Sequence, residues 1–254
     1  MRNIKTITLT LAGLLLTSGL FGQDIAGAMR HIFMRQYDSA KIVINNGVDV
    51  NQRERDSYLI NAACYRGSLD MVRFLIDKGA DVNVVAGDGG TPLFWAAGGD
   101  NSGELVQLLL DRGARIDVKN RVGTTPYEKA VYRAISKGDN YEVLKIFLDH
   151  GIDVDTAPEK GEAAGYTPLM GAVINNKPEL TGFFLDHGAN VNAVAGDSNT
   201  PLLIAAGQGN LDMVKLLVTS GAHTGHQNIE GHTALQIAEE EGHKKVVTYL
   251  KEKE

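Results

Sequence analysis

Seven histidines, one cysteine and two Tyr-Arg pairs are the residues of this 254-residue chain with most to offer chemistry. His150 and His187 each stand directly before a glycine, and His223 and His226 lie three apart, so metal ligation is one reading of them. Lys78, Arg112 and Ser220 fill the place of His150 and His187 elsewhere in the chain, which favours solvated helix ends, and no metal is expected. The sequence contains no Gly-x-x-x-x-Gly-Lys-Ser/Thr phosphate loop, no His-Glu-x-x-His zinc helix and no Gly-x-Ser-x-Gly turn. Gly87-Asp88-Gly89-Gly90 faintly suggests a dinucleotide loop, but Pro92 stands where a third glycine is needed. With no acid, base or nucleophile grouped by spacing, no catalytic residue and no cofactor are expected, and the chain is not read as an enzyme. Cys64 has no second cysteine to bridge and is expected to be a small buried residue.

The elements that carry these residues recur. Thr91-Pro92-Leu93, Thr125-Pro126-Tyr127, Thr167-Pro168-Leu169, Thr200-Pro201-Leu202 and Thr233-Ala234-Leu235 have central residues 34, 42, 33 and 33 positions apart. Ser68-Leu69-Asp70-Met71-Val72 aligns with Asn210-Leu211-Asp212-Met213-Val214, which puts Leu59 in the place of the proline. Each copy closes on a glycine pair such as Gly79-Ala80, Gly113-Ala114, Gly188-Ala189 or Gly221-Ala222, varied to Gly47-Val48 and Gly151-Ile152. A threonine hydroxyl before proline caps a helix, and proline suits the first helical position because its missing N–H is not needed there. Ala96-Ala97 and Ala205-Ala206 let this first helix approach its neighbour closely. The apolar stripe Met213, Val214, Leu216, Leu217 and Val218 marks a second helix, which ends where glycine adopts a left-handed conformation cheaply.

These residues resemble the ankyrin repeat over about nine-tenths of the chain. The resemblance implies an all-α solenoid of about seven helix-turn-helix units joined by hairpin-like loops, occupying residues 23–254 with approximate units 24–51, 52–83, 84–117, 118–155, 156–192, 193–225 and 226–254. No such unit buries its own apolar face, so each borrows surface from its neighbours. Two irregularities stand out. The stretch from Pro126 to Gly151 is 25 residues against 20 from Pro201 to Gly221, with the excess around 134–141. The stretch from Gly151 to Pro168 is 17 residues rather than 13, with the excess in the charged loop 155–162. Such insertions are either tolerated surface loops or carriers of function.

The ankyrin resemblance implies that a partner protein or extended peptide is bound on a concave side by the exposed face of the first helices and by loop tips. The helix positions are Tyr65-Arg66, Gly98-Gly99, Tyr132-Arg133, Ile174-Asn175, Gly207-Gln208 and Glu240-Glu241, of which all but Gly207, Glu240 and Glu241 are taken as candidates. The loop tips add Glu54, Arg55, Asp88, Arg121 and Asp197. Tyr and Arg dominate interface energetics, so Tyr65, Arg66, Tyr132 and Arg133 either form a binding groove, two ridges around the dent at Gly98-Gly99, or are ordinary exposed residues. Trp95 falls where a buried leucine is usual in the family and is assigned to the core.

Arg2 and Lys5 precede an almost wholly apolar stretch, Ile7 to Phe21, that is too short for a comfortable membrane span of ~20 residues. Residues 1–22 read as a signal peptide, cleaved before Gln23 in preference to a site after Ala28, with an uncleaved anchor as the alternative. The chain is therefore expected to be exported to the periplasm or beyond, without a membrane anchor once the signal is removed. Lys+Arg 25 against Asp+Glu 31 gives a net charge of -6, and -8 without Arg2 and Lys5, which disfavours nucleic acid as a partner. The expected function is a monomeric protein–protein interaction scaffold. A secreted effector that binds host proteins, or an accessory protein that protects or activates an enzyme of the same compartment, are the alternatives.

Overall fold

Threonine hydroxyls start the helices. In a computed structural model of the chain, which describes residues 24–99, 103–138, 141–159 and 165–253, the Oγ1 atoms of Thr91, Thr125, Thr167, Thr200 and Thr233 accept hydrogen bonds from the N–H groups of Phe94, Glu128, Met170, Leu203 and Gln236. Glu128 and Gln236 reach back to the threonine N–H and complete capping boxes. Pro92, Pro126, Pro168 and Pro201 occupy the first turn, as their fixed φ and absent N–H allow. The signal peptide expected over 1–22 lies outside the described residues.

Fourteen helices and no strand are present among the described residues. They are α1 (Ile25–Phe33), α2 (Tyr37–Asn45), α3 (Leu59–Arg66), α4 (Leu69–Asp77), α5 (Pro92–Gly98), α6 (Gly103–Asp111), α7 (Pro126–Lys137), α8 (Tyr141–Asp149), α9 (Pro168–Ile174), α10 (Pro178–Asp186), α11 (Pro201–Gly207), α12 (Leu211–Thr219), α13 (Ala234–Glu240) and α14 (Lys244–Lys251). They fall into two compact units, one ending at Val118 and one running from Lys119 to Glu254. In the first, α1, α3 and α5 pack in succession, each against its own second helix, α2, α4 or α6. In the second, α7, α9, α11 and α13 do the same with α8, α10, α12 and α14.

The small residues set this spacing. Ala63, Ala96, Ala172 and Ala205 are all fully buried in first helices, and Met71, Val72, Leu75, Met213, Val214 and Leu217 fill the stripes of second helices. Cys64 belongs to the same buried layer, as expected, and burial pushes its thiol well above the usual cysteine range. Trp95 departs from expectation: Phe94 is buried while Trp95 is half-buried. Trp95 shares its register with Lys129, Gly171 and Ile204, none of which is buried, and with the small Ala62, which is, so large side chains at this position lie at the edge of the core.

Second helices end on glycine for a backbone reason. Gly79, Gly113, Gly151, Gly188 and Gly221 have φ between +82° and +94°, and a Cβ on any of them meets nothing within 4 Å. The left-handed conformation alone therefore selects glycine. Asparagines then tie three of the copies to the next. Asn51 Nδ2 donates to Gly79 O at 2.8 Å while its Oδ1 accepts from Asp81 N at 2.8 Å. Asn83 repeats this with Gly113 and Arg115, and Asn192 with Gly221 and His223. Asp155 keeps only the accepting half, taking Asn190 N at 3.0 Å, because a carboxylate has no hydrogen to give.

Candidate protein-binding surface

The first insertion lengthens a helix. α7 has 12 residues where α5, α9, α11 and α13 have seven, and it stops at Gly138 with φ +74°. Residues 139 and 140 of the expected insertion, and 160–162 of the loop insertion, lie outside the described residues.

The lengthened helix walls a groove in the second unit. A depression of about 570 Å³ runs between α7 and α9, with Val131, Tyr132 and Ile135 on one side, Gly171 and Ile174 on the other, and Pro158 at one end. The surface it presents is mostly carbon. Tyr132 is 45% exposed and Ile174 42%, high values for side chains of this size, and single exposed apolar residues are less informative than such a pair beside a cleft. Gly171 makes the room. A Cβ there would lie 3.0 Å from Ile135 Cδ1, and the larger Lys129 and Ile204 hold the same register in α7 and α11.

The polar rim is already organised. Asn175 Nδ2 donates to Gly171 O at 2.9 Å, and Gln208 Nε2 donates to Ile174 O at 2.9 Å. Glu128, buried at the floor, is committed to the cap at Thr125. Burial, with Glu128 as a lesser cause, holds the Tyr132 phenol above its ordinary range, so it stays neutral. Tyr127 is fully buried beneath and donates to Val154 O at 3.2 Å. Of the expected binding residues, Tyr132, Ile174 and Asn175 thus come together, with Gln208 bonded to Ile174 alongside. Arg133, half-buried, does not line the groove. Asp197 is exposed at its loop tip, where Tyr166 O–H donates to its carboxylate and Asn199 N–H bonds it at 3.1 Å. Burial acts the other way, but those bonds win and hold the Asp197 carboxyl below its usual value. Arg121 is exposed on a turn.

In the first unit Tyr65 and Arg66 lie beside a smaller pocket of about 250 Å³ lined by Phe33, Ser57, Asn61, Ala62, Tyr65 and Trp95. The Arg66 guanidinium sits 5.6 Å from the Phe33 ring centre and 5.7 Å from that of Tyr65. Gly98 and Gly99 close α5. Glu54 and Ser57 exchange backbone hydrogen bonds of 3.0 Å across a tight turn, with Arg55 exposed at its tip. Asp88 Oδ1 accepts from Gly90 N at 2.9 Å.

Four of the seven histidines bond backbone carbonyls, while His31 bonds Gln36 Oε1 at 2.8 Å and His232 Nδ1 lies 3.4 Å from a Glu240 carboxylate oxygen. Nδ1–H of His150 and His187 donates to the carbonyl four residues earlier, at 2.8 and 2.7 Å, and His226 and His243 donate to Ser198 O and Gly207 O. Among the described residues no three His, Cys, Asp or Glu side chains are grouped to hold a metal, and no helix is long and apolar enough to cross a membrane.

Paired helices with small-residue contacts, asparagine ties between copies and an open face of first helices define a class: helical-repeat scaffolds that recognise other macromolecules by surface. The family model for ankyrin repeats in three copies matches residues 28–120, 104–195 and 169–254. The chain belongs to the ankyrin-repeat family, whose repeats are protein–protein interaction modules.

Among curated proteins it is 33% identical over 218 residues to the B-cell lymphoma 3 protein homolog of Mus musculus, covering 85% of this chain and 45% of that protein. It is 31% identical over 223 residues to palmitoyltransferase ZDHHC13 of Homo sapiens, covering 85% of this chain and 34% of that protein. The chain thus spans less than half the length of these relatives. Among solved structures, the ankyrin repeat domain of Bcl-3 superposes with a TM-score of 0.73 at 25% identity over 90% of this chain and 99% of that one. A chain from the complex of the predatory endopeptidase Bd0816 of Bdellovibrio bacteriovorus with immunity protein Bd3460 gives 0.65 at 29% identity, covering 78% of this chain and all of that one.

Proposed function

We propose that this chain is an exported, non-catalytic ankyrin-repeat protein that binds another protein in the periplasm or outside the cell, and that the groove between α7 and α9 receives apolar side chains of the partner. The observation that carries this reading is the carbon-lined groove of about 570 Å³ flanked by the exposed Tyr132 and Ile174. Aromatic anchors beside a cleft are where interface energy concentrates, about 2 kcal/mol or more for a dominant residue. Asn175, which lines the groove, and Gln208 beside it each spend an amide N–H on a carbonyl, which leaves the groove's own surface mostly apolar. The charge at residues 2 and 5 followed by the apolar stretch 7–21 supports export.

A photo-crosslinking residue placed at 174 in the native cell tests it. One discrete protein adduct is expected from position 174 and none from position 219, an exposed site on the second helix α12. Equal yield at both positions refutes the assignment of the groove.

A second reading is that the partner is an enzyme of the same compartment which this chain restrains or protects. It is favoured by the 29% identity to a chain from a complex of an endopeptidase with an immunity protein. Identification of the crosslinked protein as a hydrolase, with its activity altered by the purified chain, distinguishes this from a scaffold role.

A further inference from the structure

The pocket beside α3 contains a buried acceptor with nothing to accept. Asn61 is 1% exposed and its Nδ2 donates to Gly90 O at 3.0 Å, but its Oδ1 has no hydrogen-bond partner. Phe94, Met170 and Leu203 hold the same register in α5, α9 and α11, so the fold accepts a purely apolar side chain there, while Glu128 and Gln236 hold it in α7 and α13 and spend their side chains on capping boxes. α3 has no side-chain cap bond, so Asn61 is not used that way. An amide in their place carries an unmet need for a donor that a leucine avoids.

The walls say what kind of donor fits. Phe33, Tyr65 and Trp95 surround the pocket, and the Tyr65 and Trp95 rings meet edge to face at 5.6 Å. Such a box ordinarily favours a cation. Here the Arg66 guanidinium already lies over the Phe33 and Tyr65 rings, so a second cation is repelled. A carboxylate would suit the buried Arg66 Nε, which also has no hydrogen-bond partner, but it brings no hydrogen to Asn61. A neutral ring bearing a hydroxyl satisfies the rings, the acceptor and the charge together, and about 250 Å³ is room for one such side chain.

We propose that this pocket takes the phenol of a tyrosine from the protein partner, its ring among Phe33, Tyr65 and Trp95 and its O–H donating to Asn61 Oδ1. The proposal rests on the reading that the partner is a protein.

Trp95 is the chain's single tryptophan, so its one indole N–H resonance reports occupancy of the pocket. The full chain is titrated with 4-methylphenol, with toluene as the same ring without a hydroxyl, and with tetramethylammonium as a cation. A saturable shift is expected with 4-methylphenol, which binds about three- to tenfold tighter than toluene, and no shift with tetramethylammonium. Asn61→Leu, which copies Leu203, is expected to bring 4-methylphenol down to the affinity of toluene. Tyr65→Ala, at an exposed side chain, is expected to weaken both ring ligands in a fully folded protein and serves if Asn61→Leu fails to fold. Equal binding of 4-methylphenol and toluene, a preference that survives Asn61→Leu, or saturable binding of tetramethylammonium overturns the proposal. So does tighter binding of propionamide, which assigns an amide side chain instead. Failure of this titration with a retained crosslink at position 174 refutes the phenol pocket alone. Saturable phenol binding with no protein crosslinked anywhere refutes the protein-partner reading.

Discussion

Substitution of Gly209 by alanine separates two costs that usually arrive together. Gly209 and Gly242 occupy the same place in successive repeats, after α11 and α13, with φ of +69° and +74°. A Cβ on Gly242 meets nothing within 4 Å, whereas one on Gly209 falls 2.5 Å from His243 Nδ1 and 2.7 Å from Cγ and Cε1. That imidazole must then swing away and surrender the 2.9 Å bond from its Nε2 to Gly207 O. Gly242→Ala should cost about 1–2 kcal/mol, the penalty for an L-residue in a left-handed conformation. Gly209→Ala adds the lost hydrogen bond, about 1 kcal/mol, for a total of about 2–3 kcal/mol. Urea unfolding followed by circular dichroism measures both, and repeating Gly209→Ala in a His243→Ala background should return its cost to that of Gly242→Ala. Equal costs for the two glycine variants in the native background refute the assignment of His243 as a tie between repeats.

Three further outcomes are expected. Thr200→Ala removes the cap on Leu203 N and should lower stability by about 1 kcal/mol, seen as a Tm lower by about 2–4 °C, while Thr200→Ser should keep most of it. Cys64 should resist a thiol reagent at neutral pH in the native chain and react stoichiometrically in denaturant, since it is fully buried and its thiol is held above the usual range; fast native labelling contradicts that burial. Asp197 has a lowered folded-state pKa, so its contribution is present above the ordinary carboxylate value of about 4 and lost as pH falls through the folded value. Tyr166→Phe should therefore reduce Tm at pH 6 and matter less at pH 2, measured by thermal melts across that range.

The caps, the helix ends and the pairing of helices were legible because their causes are local. A threonine before proline, or a glycine after an apolar run, acts on atoms three or four residues away, and the spacing of Pro92, Pro168 and Pro201 exposes them directly. The excess length around 134–141 was legible for the same reason, as extra turns of α7. The groove was harder to read. Tyr132 and Ile174 were visible as exposed positions, but the room between α7 and α9 depends on the missing side chain of Gly171 facing Ile135, a contact across 36 positions. A comparison of Gly171 with Lys129 and Ile204 at the same register holds that signal. Asn61 carries no signal in the sequence, because an asparagine beside Ala62-Ala63 is unremarkable until Gly90 is seen to satisfy only one of its two ends. Trp95 is half-buried because the buried leucine usual in the family at this place does not carry over to a register that holds Lys129, Gly171 and Ile204.

The extra length of α7 sets a limit on shape. Five residues beyond the seven of its counterparts lengthen the rod by about 7–8 Å at 1.5 Å per residue. Ile135 and Ser136, which line the cleft, belong to that overhang. On the reading proposed above, a partner entering between α7 and α9 therefore meets a wall on the α7 side that runs on past the length of any other first helix.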